Sequence, residues 1–398
     1  VILADPVIMH IDINSCFATI EQQANPLLRG KPVVVAASTK DFGCILASST
    51  EAKIKGIKTG MRVKEGKQID PQLVVLPCDP NKYRFIHHQL KQVLSSYTPD
   101  ITPKSIDEFS LDFSTVPRTL SLKEVAQEIK QRIRTEIGEH ISVSIGIAPN
   151  RFLAKTAAGI HKPDGLDSIH QGNIYEVFAK LALTDLCGIS FRNALRLNQV
   201  GITTAVDFLN APPAQLKAAF KSITATYWYM RLHGMEIDSA PTHKGGLSNS
   251  YVLPHPTHPI AAFPIMIKLV HKLTERLRKE GYQTGFLTLA LSSAEHKHWH
   301  SGMRLTEPTN KAKEIIHEFH CLMNKNPFSE IKKITVFCGD LQPNMGLQLN
   351  LFEDEEKHQN VDKAIDSINH RFGLFTLVPA PMIGTKEYVP DAIAFGKM

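Results

Sequence analysis

The spacing of apolar and polar positions changes period several times along this chain, and each change predicts an element. Val7 to Ile11 is a nearly continuous apolar run ending at Asp12, which predicts a buried strand, and Asn14 or Ser15 can cap a helix behind it. Pro26, Gly30 and Pro32 mark a turn into a short strand, Pro32 to Ala37, and a second strand, Cys44 to Ala47, follows the turn Asp41-Phe42-Gly43. That strand runs into a helix around Thr50 to Lys53, closed by Gly56 and Gly60. Gln72 to Leu76 reads as a strand. Asn81 to Ser95 reads as an amphipathic helix with Phe85, Leu90, Val93 and Leu94 as its apolar stripe. Leu120 to Ile137 is another helix, with Val125, Ile129 and Ile133 at spacing four, and Ile141 to Ile147 alternates as a sheet strand does. Asn150 is positioned to cap an Ala-rich helix reaching Gly159, and residues 166–238 read as all-helical.

Between the two middle helices stands Lys104-Ser105-Ile106-Asp107-Glu108-Phe109-Ser110-Leu111-Asp112, with Pro103 ahead of it. The pattern predicts a hairpin whose second strand is half-buried, with Asp107 and Glu108 at or beside the turn. Neighbouring carboxylates repel unless a cation lies between them, so the pair suggests a metal site, although acids at an exposed turn are also common. Asp12 changes the balance. Three acids on two strand ends that can pair in one sheet form the set that two-metal phosphoryl or nucleotidyl transfer requires.

Beyond a polar, Gly-containing linker, Pro241 to Gly246, the pattern predicts strand Ser250–Leu253, helix Ile260–Lys279, strand Gly285–Leu291, strand Trp299–Arg304, helix Asn310–Asn324 and strand Ile331–Cys338. Alternation would place His296, His298 and His300 on one strand face. With no nearby acid or Cys to complete a ligand set, phosphate contact or a solvated face is the expectation there. Val361, Ile365 and Ile368 mark one more amphipathic helix.

A chain of 398 residues exceeds one ordinary core, and 43% hydrophobic content fits globular domains. No apolar run is long enough to span a bilayer, and the start carries no basic segment with a cleavage site, so neither a membrane span nor a signal peptide is expected. Six cysteines without a CxxC pair argue against a disulfide scaffold or zinc site and for a reduced, cytoplasmic setting. The net charge of +6 permits nucleic-acid binding. Its distribution is more specific: residues 241–350 carry 13 Lys and Arg against 8 Asp and Glu, whereas residues 351–398 carry 5 against 8. Only the first of these modules is suited to phosphates.

The segments His10-Ile11-Asp12-Ile13-Asn14-Ser15-Cys16-Phe17 and Ser105-Ile106-Asp107-Glu108-Phe109 resemble the two catalytic motifs of the Y-family, or translesion, DNA polymerases of the DinB/UmuC type. Later segments match in order, so the resemblance covers nearly the whole chain. It implies an α+β multidomain right hand: a palm over residues 1–18 and 78–165, small fingers over 19–77, a helical thumb over 166–238, and a βαββαβ little finger over 247–342. Residues 343–398 would be a clamp-binding motif and tail. By the same resemblance Asp12, Asp107 and Glu108 are the catalytic, metal-holding acids, joined by the Ile13 carbonyl, for two magnesium ions with manganese as a substitute. Asn14, Ser15, Cys16, Phe17, Thr50, Lys53 and Lys162 would meet the nucleotide, Lys162 through a Lys162-Pro163-Asp164-Gly165 segment similar to the one that closes the family's palm. Phe17 would be the steric gate against a ribose 2′-OH.

Gly188, Ile189 and Ser190 resemble the turn of a helix–hairpin–helix, which offers backbone N–H groups to a DNA phosphate, although the family has a second Gly where Ser190 stands. Gln348, Leu349, Leu351 and Phe352 resemble the short motif with which bacterial polymerases dock on the sliding clamp; the alternative is that they staple the tail to the little finger. Thr50 and Lys53 depart from the family's Tyr and Arg, losing reach and the bidentate fork. The resemblance implies template-directed synthesis on primer-template DNA from dNTPs by a monomer, with low fidelity and no proofreading. A catalytically weak DNA- and clamp-binding module and a palm-domain nucleotide cyclase are the alternatives.

Overall fold

A computed structural model describes residues 3–117, 120–238, 245–344 and 355–391. Two compact units divide the chain, one over residues 1–240 and the other over 241–391.

The first unit starts with β1 (Ile8–Ile13), which turns at once into α1 (Cys16–Ala24). An insertion follows: β2 (Val33–Ala36), β3 (Ile45–Ser48), α2 (Thr50–Ile54), α3 (Val63–Ile69) and β4 (Val74–Pro77). Its three strands form their own sheet in the order β3-β2-β4 over a small core that includes Val34, Ile45, Ile57 and Val63. The chain returns through α4 (Pro80–Ser95), β5 (Ile101–Pro103), β6 (Glu108–Asp112), α5 (Leu122–Arg132), β7 (Val143–Ala148), α6 (Arg151–Ala158) and β8 (Leu166–Ser168). The resulting five-stranded sheet has the order β5-β6-β1-β7-β8, antiparallel except for the β7–β8 pair. β1 lies at its centre, which is why nearly all of its residues are buried, Met9, Ile11 and Ile13 on one face and Ile8, His10 and Asp12 on the other.

Two details differ from the sequence reading. Phe85 is exposed, and the buried face of α4 is Tyr83, His87, Leu90, Val93 and Leu94. At about 100° per residue Phe85 stands opposite Tyr83, and the polar-looking His87 takes the inward place. Residues 166–168 are a strand at the edge of the five-stranded sheet, because Leu166 to Ser168 pair with Ile145 to Ile147. The helices that follow therefore begin later: α7 (Ile174–Ala179), α8 (Phe191–Asn198), α9 (Ala205–Asn210), α10 (Pro213–Phe220) and α11 (Thr224–Leu232). Their core, with Phe208, Phe220 and Trp228, is continuous with Phe152 and Leu153 of α6.

The second unit follows the β-α-β-β-α-β order that the pattern predicts: β9 (Gly246–Thr257), α12 (Pro259–Lys279), β10 (Tyr282–Ser292), β11 (His298–Thr309), α13 (Ala312–Met323) and β12 (Ile331–Pro343). The sheet order is β11-β10-β12-β9, all antiparallel, and α12 and α13 bury its apolar face. The strands are longer than predicted because the other face stays wet, so polar residues extend them without cost to the core. His298 and His300 lie on that exposed face of β11; His296 sits in the preceding turn at φ 61°, so the three do not share a face. A last helix, α14 (Glu355–Phe372), is fixed to α12 by Arg278, whose guanidinium donates to both oxygens of Asp366 at 2.7 and 2.8 Å. All six cysteines are free, and among the described residues no helix is long and apolar enough to cross a membrane.

Candidate active site

The strand pairing brings the acids together. Asp12 at the end of β1 lies directly across from Glu108, the first residue of β6, and Asp107 occupies the turn just before it. The Ile13 N–H donates to the Asp107 carbonyl at 3.0 Å, which locks the two motifs in register. The turn is also fixed from α4: a ring nitrogen of His87 lies 2.9 Å from the Ile106 carbonyl, and its ring stacks on Phe109.

Asp12 and Glu108 touch one another, but the three acids differ in their other neighbours. Asp12 and Asp107 line a cavity of about 560 Å³ whose wall also includes Ile13, Asn14, Ser15, Cys16 and Phe17. Leu46 to Ser48, Thr50, Lys53 and Lys162 line it as well, so the insertion and the palm sheet contribute to one cavity. Glu108 lies outside that lining, on the side of His10 and Lys155. The Asp107 carboxylate accepts from Ser105 at 2.5 Å.

Each of the other two acids has its own lysine. Lys155 Nζ reaches both oxygens of Glu108, at 2.8 and 2.6 Å, and Lys162 Nζ lies 2.6 Å from Asp12 Oδ2. Burial, opposed by Lys162, pushes the Asp12 carboxyl up to about 6. Burial would raise Glu108 too, but the hydrogen bonds from Lys155 bring it below the usual carboxylate range. Lys155 is delivered by close packing of α6 on β7: a Cβ at Gly146 would come within 2.0 Å of the Ala154 carbonyl oxygen.

Two members of this cluster, His10 and Lys155, lie within the matched segments but are given no role by them. His10 and Asp12 are two apart on β1 and so share a face, and ligand atoms of His10, Asp12 and Glu108 lie within 4.8 Å of one another. His10 is buried with its Nε2 unbonded, and burial lowers its imidazole to about 3, so it is neutral. The period-two rule could have placed His10 beside Asp12. Nothing local pointed Lys155 at a residue 47 positions away.

On the cavity side, Ser15 takes a left-handed conformation (φ 52°, ψ 37°), which costs roughly 1 kcal/mol for a non-glycine residue. That sharp turn places the first turn of α1 on the cavity, where helix N–H groups favour an anion. Asn14 lines the cavity too, and its side chain bonds Ser142 at 3.1 Å and Ser144 at 2.8 Å, tying the turn to β7. Burial and the two neighbouring aspartates push the Cys16 thiol up, so it is no nucleophile. Phe17 is buried and stacks on Tyr83, with centroids 4.3 Å apart. Ser49, not Thr50, caps α2, leaving Thr50 and Lys53 on the cavity side. Burial, and then Lys162, lower the Lys53 ammonium.

Elsewhere, Gly188 turns at φ 89°, and a Cβ there would lie 3.1 Å from Trp228, so only glycine fits. Gly188 and Ser190 are exposed while Ile189 is buried, and the element before the turn is a short 3₁₀ turn, Leu183–Asp185. Gln348, Leu349, Leu351 and Phe352 lie outside the described residues.

Comparison with known proteins gives a consistent result. The model of the impB/mucB/samB family matches residues 11–159, and that of the family's C-terminal domain matches residues 246–351. DNA polymerase IV of Moorella thermoacetica is 30% identical over 382 residues, covering 93% of this chain and 94% of the relative. DNA polymerase IV of Pelotomaculum thermopropionicum is 29% identical over 384 residues, covering 94% of each. Among solved structures, a Y-family polymerase chimera of Dbh and Dpo4 superposes with a TM-score of 0.74 at 24% identity, covering 85% of this chain and all of that one.

Proposed function

Because this chain belongs to the impB/mucB/samB family and is a DNA-directed DNA polymerase of the translesion, DinB type, we propose that it extends a primer 3′-OH at the site formed by Asp12, Asp107 and Glu108. The observation that carries this assignment is the division of the acids: two line the cavity that the first turn of α1 faces, and the third stands outside it. A cavity with cations at its wall suits the triphosphate, and the outer carboxylate suits the primer end.

Membership of this polymerase family implies an activity dependent on divalent metal, and the donors present fit a hard ion: two aspartates, a glutamate and the Ile13 carbonyl, with Asp12 destabilised by burial in a way that a cation would relieve. When bound, two magnesium ions, with manganese as a substitute, would lower the pKa of the 3′-OH and neutralise charge on the departing pyrophosphate. Asp12 and Asp107 would serve both ions and Glu108 the one at the primer. The α1 turn, Thr50, Lys53 and Lys162 would hold and orient the triphosphate, and Phe17 would exclude a ribose 2′-OH. The Gly188–Ser190 turn and the exposed sheet face of the second unit would take DNA phosphates without regard to sequence. Gln348, Leu349, Leu351 and Phe352 would dock a sliding clamp, the protein acting as a monomer with low fidelity and no proofreading.

Primer extension with magnesium and four dNTPs tests the assignment. Template-dependent synthesis that is abolished in Asp107→Ala is expected, whereas undiminished synthesis by that variant would move the site elsewhere. The same assay separates polymerisation from nucleotide cyclisation and from DNA binding without chemistry.

A further inference from the structure

We propose that Lys162 is a movable counter-ion, resting on Asp12 in the free protein and passing to the triphosphate when a nucleotide binds, so that nucleotide and divalent metal assist each other. The inference rests on the two-metal reading of the site.

The two lysines are mounted differently. Lys155 sits in the middle of α6, contacts both oxygens of Glu108, and is held by the close packing of that helix on Gly146. Its mount within the helix is rigid. Lys162 follows the helix and makes one short contact to a single oxygen of Asp12; the two lysine side chains are similarly exposed, at 41% and 38%, so the mounting and the number of contacts are what separate them. Its backbone is anchored nearby, since Lys130 and Arg134 both grip Asp164. The long, flexible stem can therefore move while its base stays in place.

Asp12 needs a counter-charge because its side chain is only 14% exposed. In the free protein Lys162 supplies it. An ammonium at 2.6 Å and a divalent ion cannot share that carboxylate oxygen without strong repulsion, so Lys162 opposes metal binding. The same lysine lines the cavity with Lys53 and the first turn of α1. A triphosphate there offers it a more highly charged partner, and its departure frees Asp12 for metal. Linkage makes the effect reciprocal: whatever occupies Asp12 releases Lys162 to the nucleotide.

Two binding measurements on the full chain test the proposal, neither relying on turnover. The first is Mn²⁺ binding without DNA or nucleotide, followed by electron paramagnetic resonance. Lys162→Met is expected to bind Mn²⁺ about tenfold more tightly than wild type, within the range of coupling between sites. Lys162→Arg should stay near wild type, and Lys53→Met, which removes a cavity cation not paired with Asp12, should gain clearly less. The second is binding of dATP with all divalent metal chelated. Asp12→Asn should tighten it more than Asp107→Asn, because only the former releases Lys162. Equal gains within either pair, or no gain in Lys162→Met, would overturn the exchange. Mn²⁺ binding that persists in Asp12→Asn and Asp107→Asn would instead overturn the two-metal reading, and this inference with it.

Discussion

Phe17 carries the sharpest quantitative expectation. Its ring is 2% exposed and lies nearly parallel to Tyr83, at 13°. Tyr83 is itself fixed, its hydroxyl donating 2.8 Å to Glu21, which also pairs with Lys82 at 2.6 Å. The proposed gate would thus have a rigid backing, as exclusion of one hydroxyl requires. Truncation by Phe17→Ala removes a buried ring, and about 3–5 kcal/mol of lost stability is expected. The space released admits a 2′-OH, and discrimination between dNTP and rNTP should fall roughly a hundredfold in kcat/KM. Tyr83→Leu, which keeps the gate but loosens its backing, should give a smaller loss, and Tyr83→Phe almost none. The assay is single-nucleotide insertion opposite one template base with matched dNTP and rNTP, on protein verified as folded by its thermal transition. An unchanged ratio in folded Phe17→Ala would refute the gate. A Tyr83→Leu ratio equal to wild type would refute the backing.

Two further expectations concern groups away from nucleotide contact. His10, held neutral by burial at about 3, binds no proton in the native state where the unfolded chain, near 6.5, does; stability should therefore fall as pH drops below 6.5, by about 3 kcal/mol at pH 4. Asp12, raised to about 6, acts oppositely between 3.8 and 6, where the native state keeps a proton the unfolded chain has lost. His10→Phe should flatten the acid loss in metal-free protein, as read by urea unfolding at pH 4, 5 and 7, and a pH profile parallel to wild type would contradict the assignment. In the second unit, buried Lys268 donates to the carbonyls of Thr385, Lys386 and Tyr388 at 2.9, 3.3 and 2.5 Å. Lys268→Met leaves those carbonyls short of a donor and should cost about 2–3 kcal/mol, with faster proteolysis near residues 380–390; unchanged cleavage there would show that the segment is held by other contacts.

Much of the architecture was legible because it is written in nearest-neighbour periods. The apolar run ending at Asp12, the acid hairpin and the β-α-β-β-α-β order of residues 246–343 are patterns that each segment carries alone. Thr50 and Lys53 were equally visible as departures from a known motif. Other features depend on which surface packs on which, and no local pattern encodes that. Phe85 reads as core and faces outward, while His87 reads as surface and fixes the acid turn. Residues 166–168 became a strand only because the β7 edge was there to pair with. The sequence by itself determined the three carboxylates and the sheet that carries them. Tertiary structure decided their surroundings: the placing of Glu108 outside the cavity, the buried neutral His10 beside it, and a separate lysine for Asp12 and for Glu108. Charge and burial are properties of a position in space, and here they are set by residues far apart along the chain.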